Sequence, residues 1–525
     1  MTLSIDRDIL LRPQDAAEPS PGRGFRRQRA PRAAQVVAAL VGLAAIGAYL
    51  FVALRRLDYP FALEQLEGNS LVEVHRILAR QPLYPAPTAG YVPDGYPPLY
   101  FFVSAAFARV LGVSYLSLRL VSLISSLACF ALLARLVQRE TGSIAAGTGA
   151  AGMFAATYFV AGTWFDLARV DSLFLALSIA GLYAARHMRA TRGAIAVGVL
   201  LAAAALTKQT GLAEGAAVFA ALLTGPRRRL AVVAALTEAA VFGVSTLVLR
   251  FTSGGWYTYY TFKQMSEHSL AYGNFGWFWT ALLTATGLAA GAALIGARRV
   301  PRELLAGCAA LAVEGYATLV HSGGAINDML PAYLAVALLA GLALGSSARW
   351  VTIASGALVI AQSVFLLASA HPAQAIPASA DRAAGQQLVA GMRAFGGVVA
   401  VPGDPSLSLL AGMSPAAVPG AVYDVLRATD KAGILSYRDS ADQAVKSRQF
   451  SAFITASLGQ PLNNPPDLVK DYQECLQPQP AKGAATLLVP VAGHPARPAV
   501  VWIPRGSGSC ADAIAALDGG KADGS

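Results

Sequence analysis

Apolar residues in this chain gather in long blocks instead of alternating with polar ones. Crossing the hydrocarbon core of a bilayer takes about 20 residues of helix, and a first block of that length lies at roughly 34–54. Ten more follow near 116–137, 143–162, 167–186, 193–206, 211–224, 230–249, 277–297, 303–320, 329–346 and 349–369. The pieces 193–206 and 211–224 are short. Fusing them into one span would put the cluster Arg227, Arg228 and Arg229 on the side opposite the other basic joints, so they read as a hairpin. The pattern predicts a multi-pass α-helical membrane protein of about 11 spans.

Charge orients it. The joints at Arg135/Arg139, Arg186/Arg189/Arg192, Arg227–Arg229, Arg298/Arg299/Arg302 and Arg349 are all basic, and they fall at every second turn. Lys and Arg gather in cytoplasmic loops, so these joints and the basic N-terminus belong inside. Segments 55–115, 163–166, 250–276 and 321–328 then lie outside, together with the tail from His371. The placement predicted is a bacterial inner membrane, with the N-terminus cytoplasmic and the tail periplasmic.

Residues 1–33 read as a disordered basic cytoplasmic arm, with no short apolar core and cleavage site of a secretory signal behind them. Residues 34–369 form the membrane domain. Residues 370–525 read as a small periplasmic α/β domain with a loose end, DGGKADGS. Its cues are strand-like VVAVP and TLLVPV, the helical stretches DRAAGQQLVAGMRAF and SADQAVKSRQFSAF, and Pro/Gly turns.

Composition supports the membrane reading. Only 14% of the residues are charged and 55% are hydrophobic, whereas a soluble domain carries charge on about a quarter. The net charge of +11 would suggest nucleic acid in a soluble protein; here it follows from the basic loops, and no nucleic-acid partner is expected. None of the four cysteines has a CxxC partner. Cys129 and Cys308 sit in apolar runs, and Cys475 and Cys510 lie in the tail, where an oxidising compartment leaves them free to pair.

Ionisable groups at a membrane edge are costly and mark function by default. The first outer loop carries Glu64 and Glu67, three residues apart; in a helix both carboxylates share a face. Two amphipathic stretches follow, LVEVHRILARQ and PPLYFFVSAAFARVLG, suited to helices lying in the interface. The next outer joint, FVAGTWFDLARVDSLFLAL, holds Asp166, Arg169 and Asp171, with Arg169 able to pair with either aspartate. Lys208 sits at the tip of the short hairpin, and LVHSGGAINDMLPAY sets His321, Asn327 and Asp328 in a Gly-rich turn. Each has a bland reading as loop solvation, a helix-end ion pair or a snorkelling lysine. One wet cavity accounts for four charged edges together.

The order of these motifs resembles the polytopic GT-C glycosyltransferases, nearest to the bacterial relatives of protein mannosyltransferases and aminoarabinose transferases. The motifs are Glu67-Gly68, GYPPLYFF, LSLRLVSLISSL, FDLARVDSLFLAL, LTKQTGL and the turn before LPAY, over residues 35–345. The family usually shows two adjacent acids where this chain has Leu66-Glu67. The resemblance implies inverting transfer of a sugar from a polyprenyl-phosphate donor to a lipid, glycan or protein acceptor at the outer face.

On that basis Glu67 is expected as general base, with Glu64 as the second choice. Arg169, Lys208, Arg119 and His321 would offset charge on the leaving phosphate. Asp166, Asp171, Asn327 and Tyr96 complete the expected substrate contacts. No metal ligands are assigned, although an aspartate here could help hold a divalent ion. A lipid or solute transporter would place its charges near the midplane on broken helices, and a non-catalytic envelope scaffold would need no Glu67.

Overall fold

The computed structural model describes residues 32–456, 461–476, 491–492 and 500–517. The arm at 1–31, most of the TLLVPV run and the DGGKADGS end lie outside the described residues.

Each of the eleven apolar blocks holds a helix, although residues 157–162 and 167–170 of the third and fourth blocks are turns. In chain order they are α1 (Arg32–Arg56), α4 (Tyr115–Thr141), α5 (Ile144–Ala156), α6 (Asp171–His187), α7 (Thr191–Thr207), α8 (Gly211–Leu223), α9 (Arg228–Thr252), α10 (Asn274–Gly296), α11 (Arg302–Val320), α12 (Leu330–Leu344) and α13 (Arg349–Ala368). Seven of these are long and apolar enough to cross a membrane, counting the turn that leads into α12 at Ile326. The short pieces α7 and α8 are a hairpin, with Lys208 between them. The first long loop holds α2 (Glu67–Leu78) and α3 (Leu99–Leu111).

Lipid tails give helices no hydrophobic reason to associate, so membrane bundles pack through small residues that let backbones approach. A Cβ on Gly152 of α5 would run into the backbone of Gly42 on α1, and one on Gly147 into the carbonyl of Ala134 on α4. The outer surface of α9 shows the opposite pattern, with Leu236, Val244, Leu247 and Phe251 exposed. Those residues suit lipid.

The basic joints collect at one end of the bundle and are pinned there. Arg186 forks onto Glu140 at 2.9 and 3.0 Å, and Arg227 bonds Glu303 and the carbonyls of Ala185 and Arg186. The polar edges that carry the candidate residues meet at the other end.

The C-terminal domain sits over that second end. Its four strands, β1 (Val399–Ala400), β2 (Ala452–Thr455), β3 (Tyr472–Leu476) and β4 (Val500–Pro504), are ordered β1-β2-β4-β3; β1 and β2 are parallel and the other pairs antiparallel. Helices α14 (Ser379–Phe395), α15 (Pro405–Leu410), α16 (Pro419–Arg427), α17 (Lys431–Lys446) and α18 (Cys510–Leu517) complete it. Cys475 and Cys510 form a disulfide joining β3 to α18. The two helical stretches expected in the tail appear as α14 and within α17, which ends at Lys446, leaving the rest of SADQAVKSRQFSAF to run into β2.

The domain is built onto the first loop. Ala492 donates its N–H to the carbonyl of Leu63 at 3.0 Å, and Ala417 bonds Ala89 at 2.8 Å. Gly385 lies so close to the ring of Phe61 that a Cβ would collide with it, and Gly68 meets Asp404 and Pro405 in the same way.

Candidate functional site

The turns at the second end bring most of the expected residues together, sorted into two kinds of charge cluster. The first kind is closed. Arg56, the last residue of α1, forks onto Asp166 with two bonds of 2.7 Å and also reaches Thr163 and Ala375; Asp166 accepts the Tyr158 hydroxyl as well. Arg119 forks onto Glu67 at 3.0 and 2.7 Å and donates to the carbonyls of Arg56, Tyr59 and Phe61.

Glu67 also accepts the backbone N–H of Leu63 and of Ala168, both at 2.6 Å. Two donors on each oxygen use up the acceptor capacity of a carboxylate. Against the cost of burial, the Arg119 pair and these N–H groups hold Glu67 below the ordinary carboxylate range. All four charged partners are buried. Breaking such a pair leaves a charge alone in the interior, which is expensive.

The second kind is open. Arg169 stands between Glu64 and Asp94 at 3.9 and 3.8 Å, too far for hydrogen bonds. Its one bond is to the Tyr96 hydroxyl at 3.3 Å, and neither Nε nor Nη1 has a hydrogen-bond partner among the described residues. Asp94 accepts from Asn69 at 2.8 Å through Oδ1, while its Oδ2 has no hydrogen-bond partner among the described residues; its own N–H donates to Glu73. Burial pushes the Glu64 carboxyl up to about 7, with Arg169 pulling the other way. Burial also raises Asp94. Burial, with Asp94 adding to it, holds Glu73 well above its usual range.

Beside this group Lys208 contacts Asp328 at 3.2 Å and Asp171 at 3.5 Å, and Asn327 donates to Asp171 at 3.2 Å. Oδ2 of Asp171 has no hydrogen-bond partner among the described residues. Gln209 donates to the carbonyls of Gly95 and Thr261, both at 3.1 Å, tying the Lys208 turn to the Asp94–Tyr96 strip.

Several expectations change. Arg169 pairs with neither neighbouring aspartate: Asp166 goes to Arg56 and Asp171 to Lys208. Glu64 and Glu67 do not share a helical face, since α2 begins at Glu67 and Glu64 lies in the preceding loop, where its carboxylate accepts the N–H of Leu66. The stretch LVEVHRILARQ is not spread on an interface either; α2 is buried from Glu67 through Val74. His321 bonds the Met265 carbonyl and packs against His268 at 5.0 Å, outside both clusters.

Arg56, Glu73 and Asp94 were not singled out in the sequence. Asp94 had a readable signal, an acid directly before the GYPPLYFF motif; Arg56 and Glu73 had none. No set of three His, Cys, Asp or Glu side chains that could hold a metal ion is found among the described residues.

Comparisons with known proteins agree with this architecture. The family described as dolichyl-phosphate-mannose-protein mannosyltransferase matches residues 95–253. No curated protein matches the chain by sequence. Among solved structures, ArnT from Cupriavidus metallidurans in the apo state has a TM-score of 0.56 at 11% identity, over 79% of this chain and 92% of that one. The same protein bound to undecaprenyl phosphate gives 0.48 at 13% identity, over 80% and 83%. The archaeal oligosaccharyltransferase AglB from Archaeoglobus fulgidus, in complex with an inhibitory peptide and a dolichol-phosphate, gives 0.46 at 11%, over 78% and 69%. The fold shared along most of this chain and of apo ArnT, with the family match inside it, gives this protein the GT-C fold, that of polytopic glycosyltransferases.

Proposed function

We propose that the protein moves a sugar from a polyprenyl-phosphate donor to an acceptor hydroxyl by inverting displacement at the outer face of a bacterial inner membrane. One observation carries the reading: the buried cation Arg169 stands beside the carboxylate of Glu64 with two nitrogens lacking a hydrogen-bond partner among the described residues, and a second buried cation, Lys208, lies in the neighbouring cluster with Asp171 and Asp328. A phosphate leaving group needs such cations, because negative charge grows on it as the glycosidic bond breaks. ArnT, which shares the fold, has been captured with undecaprenyl phosphate.

Glu64 takes the role of base in preference to Glu67, whose acceptor capacity is already spent. The acceptor O–H gives its proton to Glu64 and its oxygen bonds the anomeric carbon. The carbon–oxygen bond to phosphate breaks, with its electron pair going to the phosphate. Asp171, Asp328 and Asn327 position Lys208, while Asp94 and Tyr96 position Arg169. The closed pairs at Glu67 and Asp166 hold the loops that carry these groups. The Cys475–Cys510 disulfide, on the same side as the site, supports an oxidising compartment there.

Donor recognition is testable with the lipid alone. Undecaprenyl phosphate titrated into the purified protein in nanodiscs should bind, and Arg169→Ala with Lys208→Ala should abolish that binding while the protein stays folded. Cells lacking the protein should accumulate one polyprenyl-phosphate sugar and lose one sugar from an envelope glycan, lipid or protein, as read by mass spectrometry. An unchanged inventory of both would defeat the transferase reading.

A further inference from the structure

Three glutamates lie inside the membrane helices, and the proposed transfer uses none of them. Glu214 is on α8, Glu238 on α9 and Glu314 on α11. At 1.5 Å of rise per residue, Glu314 lies about 9 Å below the outer end of its helix and Glu238 about 21 Å below that of its own. Carboxyl groups at such depth are costly, and where they occur they mark ion pathways and proton relays. All three are at least nine-tenths buried.

Their surroundings compensate them poorly. Both carboxyl oxygens of Glu214, and Oε1 of Glu238, have no hydrogen-bond partner among the described residues. Ser178 of α6, fully buried, sets its hydroxyl toward Glu214 without closing a hydrogen bond. The carboxyl of Glu238 rests against Gly215, where a Cβ would strike it, and Cys308 lies within electrostatic reach of Glu214. Glu214 is in turn within reach of both other acids. Glu314 has one firm bond, from the Thr210 hydroxyl at 2.6 Å.

The outer end of this series meets the donor cluster. Glu314 stands within electrostatic reach of Lys208, Asp328 and Asp171, and the adjacent Gly315 packs against the carbonyl of Asp328. One cation, Lys208, thus serves three carboxyl groups. A buried acid stays ionised only while a counter-charge is near. A lipid phosphate on Lys208 would offset that cation. Glu314 would then face only acids, Asp171, Asp328 and Glu214, and binding a proton is the favourable way to relieve a buried charge left in that position.

We infer that Glu314, coupled to Glu214 and Glu238, takes up a proton from the outer water when a lipid phosphate occupies Lys208. Donor binding and proton uptake are then a single event, and acids embedded in the membrane take part in donor recognition. This rests on the donor reading above and deepens it. One O–H bond forms on a carboxyl oxygen, and no bond of the lipid changes. Interacting carboxyl groups share their protons, so the uptake belongs to the group.

The test titrates the full chain in nanodiscs with undecaprenyl methyl phosphate, a diester with no proton of its own to exchange near neutrality. Calorimetry in two buffers of different ionisation heat counts the protons taken up. Up to about one proton per lipid should enter near pH 7, and affinity should fall as pH rises, by at most about tenfold per unit. Glu314→Gln, whose amide mimics the protonated acid, should lose most of the uptake and flatten the pH dependence. It should bind the lipid at alkaline pH at least as well as the parent, whereas a loss of packing would weaken binding at every pH. Glu214→Gln serves the same purpose if the first variant does not fold. Glu64 also has a cation beside it, so Glu64→Gln is the control and should keep the uptake.

The inference is overturned if no proton enters, or if Glu314→Gln and Glu214→Gln leave the uptake unchanged. It is equally overturned if Glu64→Gln abolishes the uptake, which would assign the proton to the base. Failure of the diester itself to bind would instead remove the donor reading beneath it.

Discussion

Two arginines, Arg119 and Arg169, start from similar positions and end in opposite states. Both lie at the same end of the bundle, both are buried, and each faces a glutamate from the first loop. Arg119 has five hydrogen bonds and takes Glu67 in a fork. The Arg169 side chain has one among the described residues, and its two carboxylates stand off at nearly 4 Å. Burial and charge are the same in both places. What separates them is how much hydrogen-bonding capacity is left over among the described residues.

The largest expected effect sets Glu64 against Glu67. Removing a general base costs about 100- to 10,000-fold in rate, so Glu64→Gln should cut sugar transfer by that order with the folded fraction unchanged. If Glu64→Gln transfers at the parental rate while Glu67→Gln does not, the base lies in the closed pair and the contrast collapses.

Glu67→Gln should act mainly on stability. It leaves Arg119 buried without its counter-charge, a change worth about 3–5 kcal/mol, visible as a large fall in the thermal unfolding midpoint. Activity per folded molecule should stay near parental. A stable, inactive Glu67→Gln protein would contradict the structural role.

Arg169→Ala should be milder for the fold, having few bonds to break, and should weaken binding of undecaprenyl phosphate. Hydrogen bonds to charged groups are worth about 1.5–3 kcal/mol, so a loss of about 10- to 100-fold is expected in a lipid titration. Normal lipid affinity in a protein that unfolds more readily would make Arg169 another structural arginine.

The pH dependence refines the comparison further. Burial disfavours the ionised form of Glu64 and raises its carboxyl to about 7. Only the ionised form accepts a proton, so transfer should fall as pH drops below about 7, approaching tenfold per unit. Glu67 is shifted the other way, below the ordinary carboxylate range, and would give no such fall in the neutral range. A rate flat from pH 8 to 6 would remove Glu64 from the role.

The helices were legible because an apolar block long enough for a bilayer has few alternatives, and because the basic joints fix the alternation of ends. The hairpin at 193–224 was settled by three arginines. The gathering of Arg169, Asp171, Lys208 and Asn327 at one end followed from that topology alone. Pairing was not legible. Asp166 lies three residues from Arg169 yet bonds Arg56, more than a hundred residues earlier, and spacing carries no trace of that choice. Glu73 lies in an amphipathic stretch, yet it is fully buried and accepts the backbone N–H of Asp94. Three glutamates inside spans, Glu214, Glu238 and Glu314, drew no notice within runs that are apolar on average, although Glu314 accepts the Thr210 hydroxyl at 2.6 Å.

The hydrogen bond from Ala492 to Leu63 bears on how the protein is made. The loop holding Glu64 leaves the ribosome early, and one of its ties comes from the C-terminal domain, more than four hundred residues later in the chain. Between those moments the loop lacks the contacts that shape it at Leu63 and Gly68. A partly made chain would therefore have its helices in the bilayer and the cluster around Glu64 unformed until the C-terminal domain docks.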